Sequence, residues 1–300
     1  MSAGFTLTDP PCGVDRGLWC AGTGDSPETG ALWLLSWERE ALALGVIAGF
    51  GSDFVYMWPV TLAEQFAFRP AVIAGPASFG TKLAVWPSRE MPVGLHLLDR
   101  PLGRVWSAKT MALIEDAVEA GNPLPASLRY APECVDSVDA EDADDAMIGL
   151  WNAICWNAWP PLTIGAMPLS TDALAANNLD AARVAQILGL QTREISGLFE
   201  QTQFPTAEQI SALASAAGVE DPLDLLEPPS DADALEQAAP RWKRSVLRLA
   251  DHLGLGEAET RDAIRAEFAL AARSTAPDGL MQAAIDRLMS WAAPDDKAHQ

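Results

Sequence analysis

Cysteine and histidine are scarce in this sequence, which limits the metal sites that it could form. The 300 residues include four cysteines and three histidines, and no two cysteines form a C-x-x-C pair. Zinc fingers and ribbons need such ligands at close, fixed spacings, so we expect no metal site. The thiols are predicted to be reduced and mostly buried. They belong to Cys12, Cys20, Cys134 and Cys155.

Positive charge is scarce as well. Twenty Lys and Arg residues stand against 41 Asp and Glu residues, for a net charge of −21. This balance argues against nonspecific binding to phosphate or to anionic membranes, so any contact with nucleic acid must be local. No apolar run approaches the roughly 20 residues of a membrane helix, and the first residues lack the basic-then-apolar order of a signal peptide. We therefore expect a cytoplasmic protein that makes no membrane contact.

The common catalytic and cofactor-binding motifs are also missing. The sequence contains no Gly-rich phosphate loop, no G-x-S-x-G elbow and no H-E-x-x-H zinc motif. His96 alternates with Leu95 and Leu97, which is typical of a histidine packed in a sheet rather than of a general base. We expect no cofactor, and a binding protein is favoured over an enzyme.

Residues 1–131 contain a series of short segments that are rich in aromatic and β-branched residues and are bounded by Gly, Pro, Ser or Asp. This pattern predicts a β-rich domain, either a small barrel or a largely antiparallel sheet. A stretch with helical spacing follows and should stop at Gly121. The predicted strands begin near Ala31, Leu42, Asp53, Thr81 and Val93.

The remainder is predicted to be helical, so the expected fold class is α+β, with a β-rich N-terminal domain followed by an all-α half. Residues 132–146 contain seven carboxylates and no basic residue, and we interpret them as an acidic linker. Residues 147–227 should form an apolar helix and a helical module. Pro- and Asp-rich residues 228–240 are predicted to be a hinge before a C-terminal helical subdomain, 241–300.

The stretch "LDAARVAQILGLQTREISGLFEQTQFP", from Leu179, predicts two short helices joined by a turn at Gly189. This stretch contains A-x-x-L-G from Ala185, the Ile195-Ser196 pair and Pro205, and "LASAAGV" follows it from Leu213. In this order and spacing they resemble the Xre, or lambda-repressor-like, helix-turn-helix family, over about residues 170–227. The resemblance implies a DNA-binding bundle whose second paired helix enters the major groove.

On that resemblance, the groove-facing positions are Gln191, Thr192, Arg193 and Ser196. Gln suits adenine, Arg suits guanine, and Ser or Thr suits either base. Residues 179–227 nevertheless have a net charge of −6, so phosphate contacts must come from elsewhere. A basic cluster further along the chain is predicted to point outward and bind phosphate. Its members are Arg241, Lys243, Arg244 and Arg248.

The N-terminal strands are similar to PemK/MazF-like toxin barrels over about residues 30–106. "WPVT" matches that family's P-x-T element, which implies an endoribonuclease with Thr61 near the reactive phosphate. In this alignment Leu42 or Ala43 occupies the position of the family's arginine. A second alignment places Arg69 at the arginine position and Ser88 at the threonine position. This remains an alternative.

The favoured hypothesis is a sequence-specific transcriptional regulator that binds duplex DNA as a homodimer, with an N-terminal domain that senses a ligand or a protein partner. The first alternative is a toxin-antitoxin-related protein whose endoribonuclease domain, intact or degenerate, carries Thr61 and Arg69. The second alternative is a protein-docking adaptor in which neither half touches nucleic acid.

Overall fold

A computed structural model describes residues 5–21, 26–64, 66–74, 79–134, 137–156, 167–200, 203–227, 231–271 and 279–290. The chain divides into two compact units. The first unit comprises Met1–Trp159 together with Ala238–Leu247, and the second comprises Pro160–Gln237 together with Arg248–Gln300. The expected α+β class is confirmed, because an antiparallel sheet is followed by a helical half.

The first unit is built around one antiparallel sheet. Its strands lie in the order β7-β1-β2-β3-β5-β4-β8, and β6 pairs with the first half of β3. A short helix, α1 (Arg16–Ala21), precedes the sheet. The strands are β1 (Ala31–Trp37), β2 (Glu40–Phe50), β3 (Phe54–Leu62), β4 (Val72–Ala74), β5 (Leu83–Val85), β6 (Met91–Gly94), β7 (Leu98–Arg104) and β8 (Arg129–Tyr130).

Both faces of this sheet are buried, which explains the apolar runs in its strands. Along β1, Leu32 and Leu34 enter the apolar cluster on one face, and Trp33 and Leu35 enter the cluster on the other. Successive side chains of a strand point to opposite faces, so one apolar strand supplies both clusters.

Two helices complete these clusters. Helix α2 (Ala108–Ala120) begins at the Ser107 cap, ends at Gly121 as predicted, and contributes Ile114 to the first cluster. Helix α3 (Ser137–Trp156) contributes Trp151 to the second. The sheet therefore has a helix against each face.

Helix α3 corrects the predicted acidic linker. Residues 137–146 form its first half, and the first unit continues to Trp159, so residues 132–146 do not separate the two units. The carboxylate of Asp144 makes a bidentate contact with Arg89, at 2.5 and 3.1 Å, and Met147 and Trp151 are buried one turn apart. A solvated tether was expected because the carboxylates dominate the segment, but this ion pair and the apolar stripe fix the helix.

The second unit contains a compact group of helices at 167–227, which we call the 167–227 bundle. An apolar cluster from Met167 to Leu226 forms its core, and Leu169 pairs with Leu226 in an antiparallel bridge. The bundle ends in a 3-10 turn at Pro222–Leu225. Its helices are α4 (Thr171–Ala176), α5 (Ala181–Leu188), α6 (Thr192–Phe199) and α7 (Ala207–Ala217).

The C-terminal helices differ from the predicted hinge and subdomain. Residues 231–238 of the expected hinge form a helix, residues 228–230 lie outside the described residues, and Arg241–Leu247 belongs to the first unit. Within the described ranges, none of the helices is both long enough and apolar enough to cross a bilayer. The helices are α8 (Asp231–Ala238), α9 (Lys243–Leu253), α10 (Glu257–Ala271) and α11 (Leu280–Ser290).

Candidate functional site

The α5–turn–α6 pair is shaped by three local interactions. The carboxylate of Asp180 accepts a hydrogen bond from the backbone N–H of Arg183 at 2.7 Å and caps α5. Gly189 ends α5 with a φ of 65°, in the left-handed region that glycine adopts without strain. The carboxylate of Glu194 then accepts from the backbone N–H of Gln191 at 3.0 Å and fixes the start of α6.

Apolar residues anchor one side of α6 and leave the other side accessible. Ile195 and Leu198 are buried in the bundle core. Gln191 and Arg193 are exposed, and Ser196 is half-buried. The side chain of Thr192, the fourth predicted contact, lies outside the described residues. The accessible side therefore offers an amide, a guanidinium and a hydroxyl, which can donate and accept hydrogen bonds.

The charge beside this face is negative. Glu194 and Glu200 are exposed at the two ends of α6. Arg183, on α5, is exposed, and its guanidinium donates to the side-chain oxygen of Gln186 at 2.8 Å. Residues 179–227 carry two arginines and a net charge of −6, so this module by itself repels phosphate and needs cations from elsewhere.

Lys243 does not belong to the predicted surface cluster of cations. Its side chain is 1% exposed, and its ammonium donates to the backbone oxygens of Ser36 at 3.0 Å and of His96 at 3.2 Å. The ammonium also lies 5.5 Å from the centre of the Trp37 ring. Spacing along α9 did not reveal this burial, because the groups that receive Lys243 come from β1 and from the 3-10 turn at Leu95–Leu97, both far from α9 in sequence.

The other three members of the predicted cluster are exposed. The guanidinium of Arg241 lies over the Trp242 ring at 5.7 Å, and that of Arg244 donates to the backbone oxygen of Cys20 at 3.4 Å. Both residues belong to the first unit, whereas Arg248 belongs to the second unit, which also contains α6. The predicted phosphate-binding set is therefore reduced to three arginines.

A buried polar cluster that sequence analysis missed lies next to Lys243 in the first unit. The Ser36 hydroxyl donates to the Asp99 carboxylate at 2.8 Å, and Arg100 donates to the same carboxylate. His96 is buried, and its ring meets the Trp37 ring edge-on at 5.2 Å. It lies in a short 3-10 turn, Leu95–Leu97, rather than in a strand. The cluster joins residues 96–100 to Ser36 and Lys243, which are distant in sequence, so no motif spacing could have identified it.

The alternative catalytic residues are each occupied by other contacts. The Thr61 hydroxyl donates to the backbone oxygen of Phe66 at 2.6 Å and accepts from the Trp86 indole at 3.1 Å. The guanidinium of Arg69 pairs with Glu133 at 3.0 Å and lies 5.0 Å from the centre of the Tyr130 ring. In this arrangement the Thr61 hydroxyl has a structural role.

The cysteines differ from the prediction of mostly buried thiols. Cys12, Cys20 and Cys134 are exposed, and Cys155 is half-buried, where burial raises the pKa of its thiol. Across the described residues, no group of three or more His, Cys, Asp or Glu side chains is arranged to hold a metal ion.

Comparison of this chain with protein-family models, with curated proteins and with solved structures yields no match.

Proposed function

We propose that this protein binds duplex DNA sequence-specifically and regulates transcription, with α6 as the helix that enters the major groove. The observation that carries the proposal is the exposure of Gln191 and Arg193 at the N-terminal end of α6, while Ile195 and Leu198 anchor the opposite side. Recognition helices contact base edges with residues from this end. Amide and guanidinium groups can each make bidentate contacts with a purine.

The negative charge determines what kind of DNA binding we propose. Each neutralised phosphate contributes a slope of about −0.9 to a plot of log affinity against log salt. With Lys243 buried, the exposed arginines Arg241, Arg244 and Arg248 are the main candidates for phosphate contacts. We expect weak nonspecific binding and a shallow salt dependence, so that base contacts by a dimer on two half-sites supply most of the selectivity.

The test is selection of a random duplex pool by the purified chain, followed by affinity measurements on recovered sequences across a salt series. Arg193→Ala should weaken binding to a recovered duplex by about 5- to 150-fold, the range expected for a lost contact to guanine. Arg16→Ala is the matched control, because it removes an exposed arginine from α1. Failure to enrich any sequence at low salt, or an equal loss in both variants, would contradict DNA binding.

The acidic charge favours a second candidate, in which the same face of α6 binds a partner protein. The net charge of −6 for residues 179–227 is compatible with a basic protein surface. This adaptor function predicts no enrichment from the duplex pool. Binding of nucleic acid should then be negligible in the parent and equally negligible in Arg193→Ala.

A further inference from the structure

One edge of the sheet brings two cations together on the same face. Ile73 of β4 pairs with Ala84 of β5 on one side and with Arg129 of β8 on the other. Lys82 precedes Ala84 by two positions, so its side chain belongs to the face that carries Ile73 and Arg129. The strand register thus places Lys82 and Arg129 on either side of Ile73.

These residues line an open depression of about 370 Å³. That volume is within the range of roughly 300–1,000 Å³ that is common for small-molecule sites. Among the residues that the structure describes, no carboxylate lines it. The lining residues are Ile73, Lys82, Ala126, Ser127, Leu128 and Arg129.

Lys82 and Arg129 differ from three arginines of the first unit that have carboxylate partners. Arg69, Arg89 and Arg104 each pair with a carboxylate, at Glu133, Asp144 and Glu28 respectively. Lys82 and Arg129 are exposed, and neither forms an ion pair or a side-chain hydrogen bond with any residue that the structure describes. In a chain with twice as many acidic as basic residues, two neighbouring cations without carboxylate partners favour an anion from outside the protein.

We propose that this depression binds a phosphate group, carried by a small phosphomonoester or present as the free ion. The Lys82 ammonium and the Arg129 guanidinium would neutralise the dianion, the guanidinium by two parallel hydrogen bonds. The Ser127 hydroxyl adds a third donor, and Ile73 and Leu128 offer apolar contact to the remainder of a ligand. The proposal concerns the first unit and does not depend on DNA binding by α6.

The experiment titrates the 300-residue chain at low salt with inorganic phosphate, ribose 5-phosphate and ribose, followed by phosphorus NMR and calorimetry. Both phosphate compounds should bind and ribose should not. Lys82→Gln and Arg129→Gln should each weaken binding at least tenfold. Lys109→Gln, which removes an exposed cation from α2, should leave affinity unchanged. Arg129→Lys should bind phosphate more tightly than Arg129→Gln but less tightly than the parent, because it keeps the charge without the bidentate geometry.

The outcomes separate the two sources of phosphate. Tighter binding of ribose 5-phosphate than of inorganic phosphate supports a phosphorylated small molecule, and equal affinities support the free ion. Binding of neither compound at millimolar concentration would overturn the proposal, as would equal losses in Lys82→Gln and Lys109→Gln. Circular dichroism of each variant checks that the protein is folded, so that a loss of affinity can be assigned to the lost cation.

Discussion

The first unit and the 167–227 bundle differ in what they bury. Among the described residues of the bundle, no polar side chain is buried, and its core from Met167 to Leu226 is apolar. The first unit instead buries Ser36, Asp99 and Lys243, each with hydrogen-bond partners from another part of the chain. An apolar core can be predicted from periodicity, whereas a buried polar group can be placed only when its partners are known.

The energetic consequences of the two cores also differ. Burial of apolar groups contributes roughly in proportion to the area removed from water and is non-directional. A buried polar group stabilises the fold only while its partners stay in place, because an unpaired one costs about 1–3 kcal/mol. The first unit should therefore be more sensitive to changes that remove a donor, and the bundle to changes in backbone conformation or volume.

The largest expected effect tests the buried polar core. Lys243→Met keeps most of the side-chain volume but removes the hydrogen bonds to the backbone oxygens of Ser36 and His96. We expect the free energy of unfolding to fall by about 2 kcal/mol, in the range for hydrogen bonds from a charged group. Urea unfolding followed by tryptophan fluorescence measures it.

Arg244→Met is the matched control for that change, since Arg244 is adjacent and exposed. Its effect should stay within about 0.5 kcal/mol, as for most surface substitutions. If the two variants were equally stable, the buried hydrogen bonds of Lys243 would contribute nothing to the free energy of unfolding. The proposed energetic difference between the two cores would then be wrong.

An effect of intermediate size compares two glycines at which an added Cβ atom would meet only open space. Gly189→Ala forces alanine to a φ of 65° at the end of α5 and should destabilise the protein by about 1 kcal/mol. Gly149→Ala lies inside α3 and should stabilise it by about 0.5–1 kcal/mol, because alanine favours helix. Thermal unfolding followed by circular dichroism should show opposite signs.

A loss of stability in both glycine variants would contradict the helical placement of Gly149. That placement distinguishes α3 from the linker that its carboxylates first suggested. Gly189→Ala thus tests the turn that the sequence predicted, and Gly149→Ala tests helix α3, whose first half the sequence did not predict.

The smallest effect concerns Glu90, which accepts a hydrogen bond from the Trp58 indole at 3.1 Å. Partial burial raises the pKa of its carboxyl, that hydrogen bond lowers it, and Glu115 and Glu119 raise it further. A raised pKa in the folded state means that the ionised carboxylate disfavours folding. Stability should therefore increase as the pH falls from above the folded-state pKa towards the lower unfolded-state value.

Glu90→Gln keeps an oxygen that can accept from Trp58 but cannot ionise. The variant should be more stable than the parent at neutral pH by less than about 1 kcal/mol, since the group is partly solvated. The difference should shrink in acid, as Glu90 becomes protonated. Unfolding curves over a pH series measure it, and a variant that is less stable at neutral pH would contradict the assigned direction.

Several elements could be predicted because their signals are local. Strand β1 occupies Ala31–Trp37, where apolar and aromatic residues are bounded by Gly and a turn. Helix α2 stops at Gly121, and α5 stops at Gly189, since glycine readily adopts the left-handed end of a helix. The capping role of Glu194 could also have been found, from its spacing of three residues after Gln191.

Other features needed contacts between distant segments. The carboxylates of α3 suggested a tether until Asp144 was seen to pair with Arg89. The depression between Lys82 and Arg129 depends on the register of three short strands, and β4 and β8 were not predicted from the sequence. Strands of two or three residues carry too little periodicity to be detected alone.

By itself the sequence determined the α+β class and the position of the α5–turn–α6 pair, because capping, periodicity and glycine turns act over a few residues. Only the tertiary structure decided which charged residues reach the surface. Lys243 and Arg244 are neighbours of like charge in the sequence, yet one is buried against the sheet and the other is exposed. Burial of a charge depends on partners that distant segments supply, and nothing local to the residue specifies them.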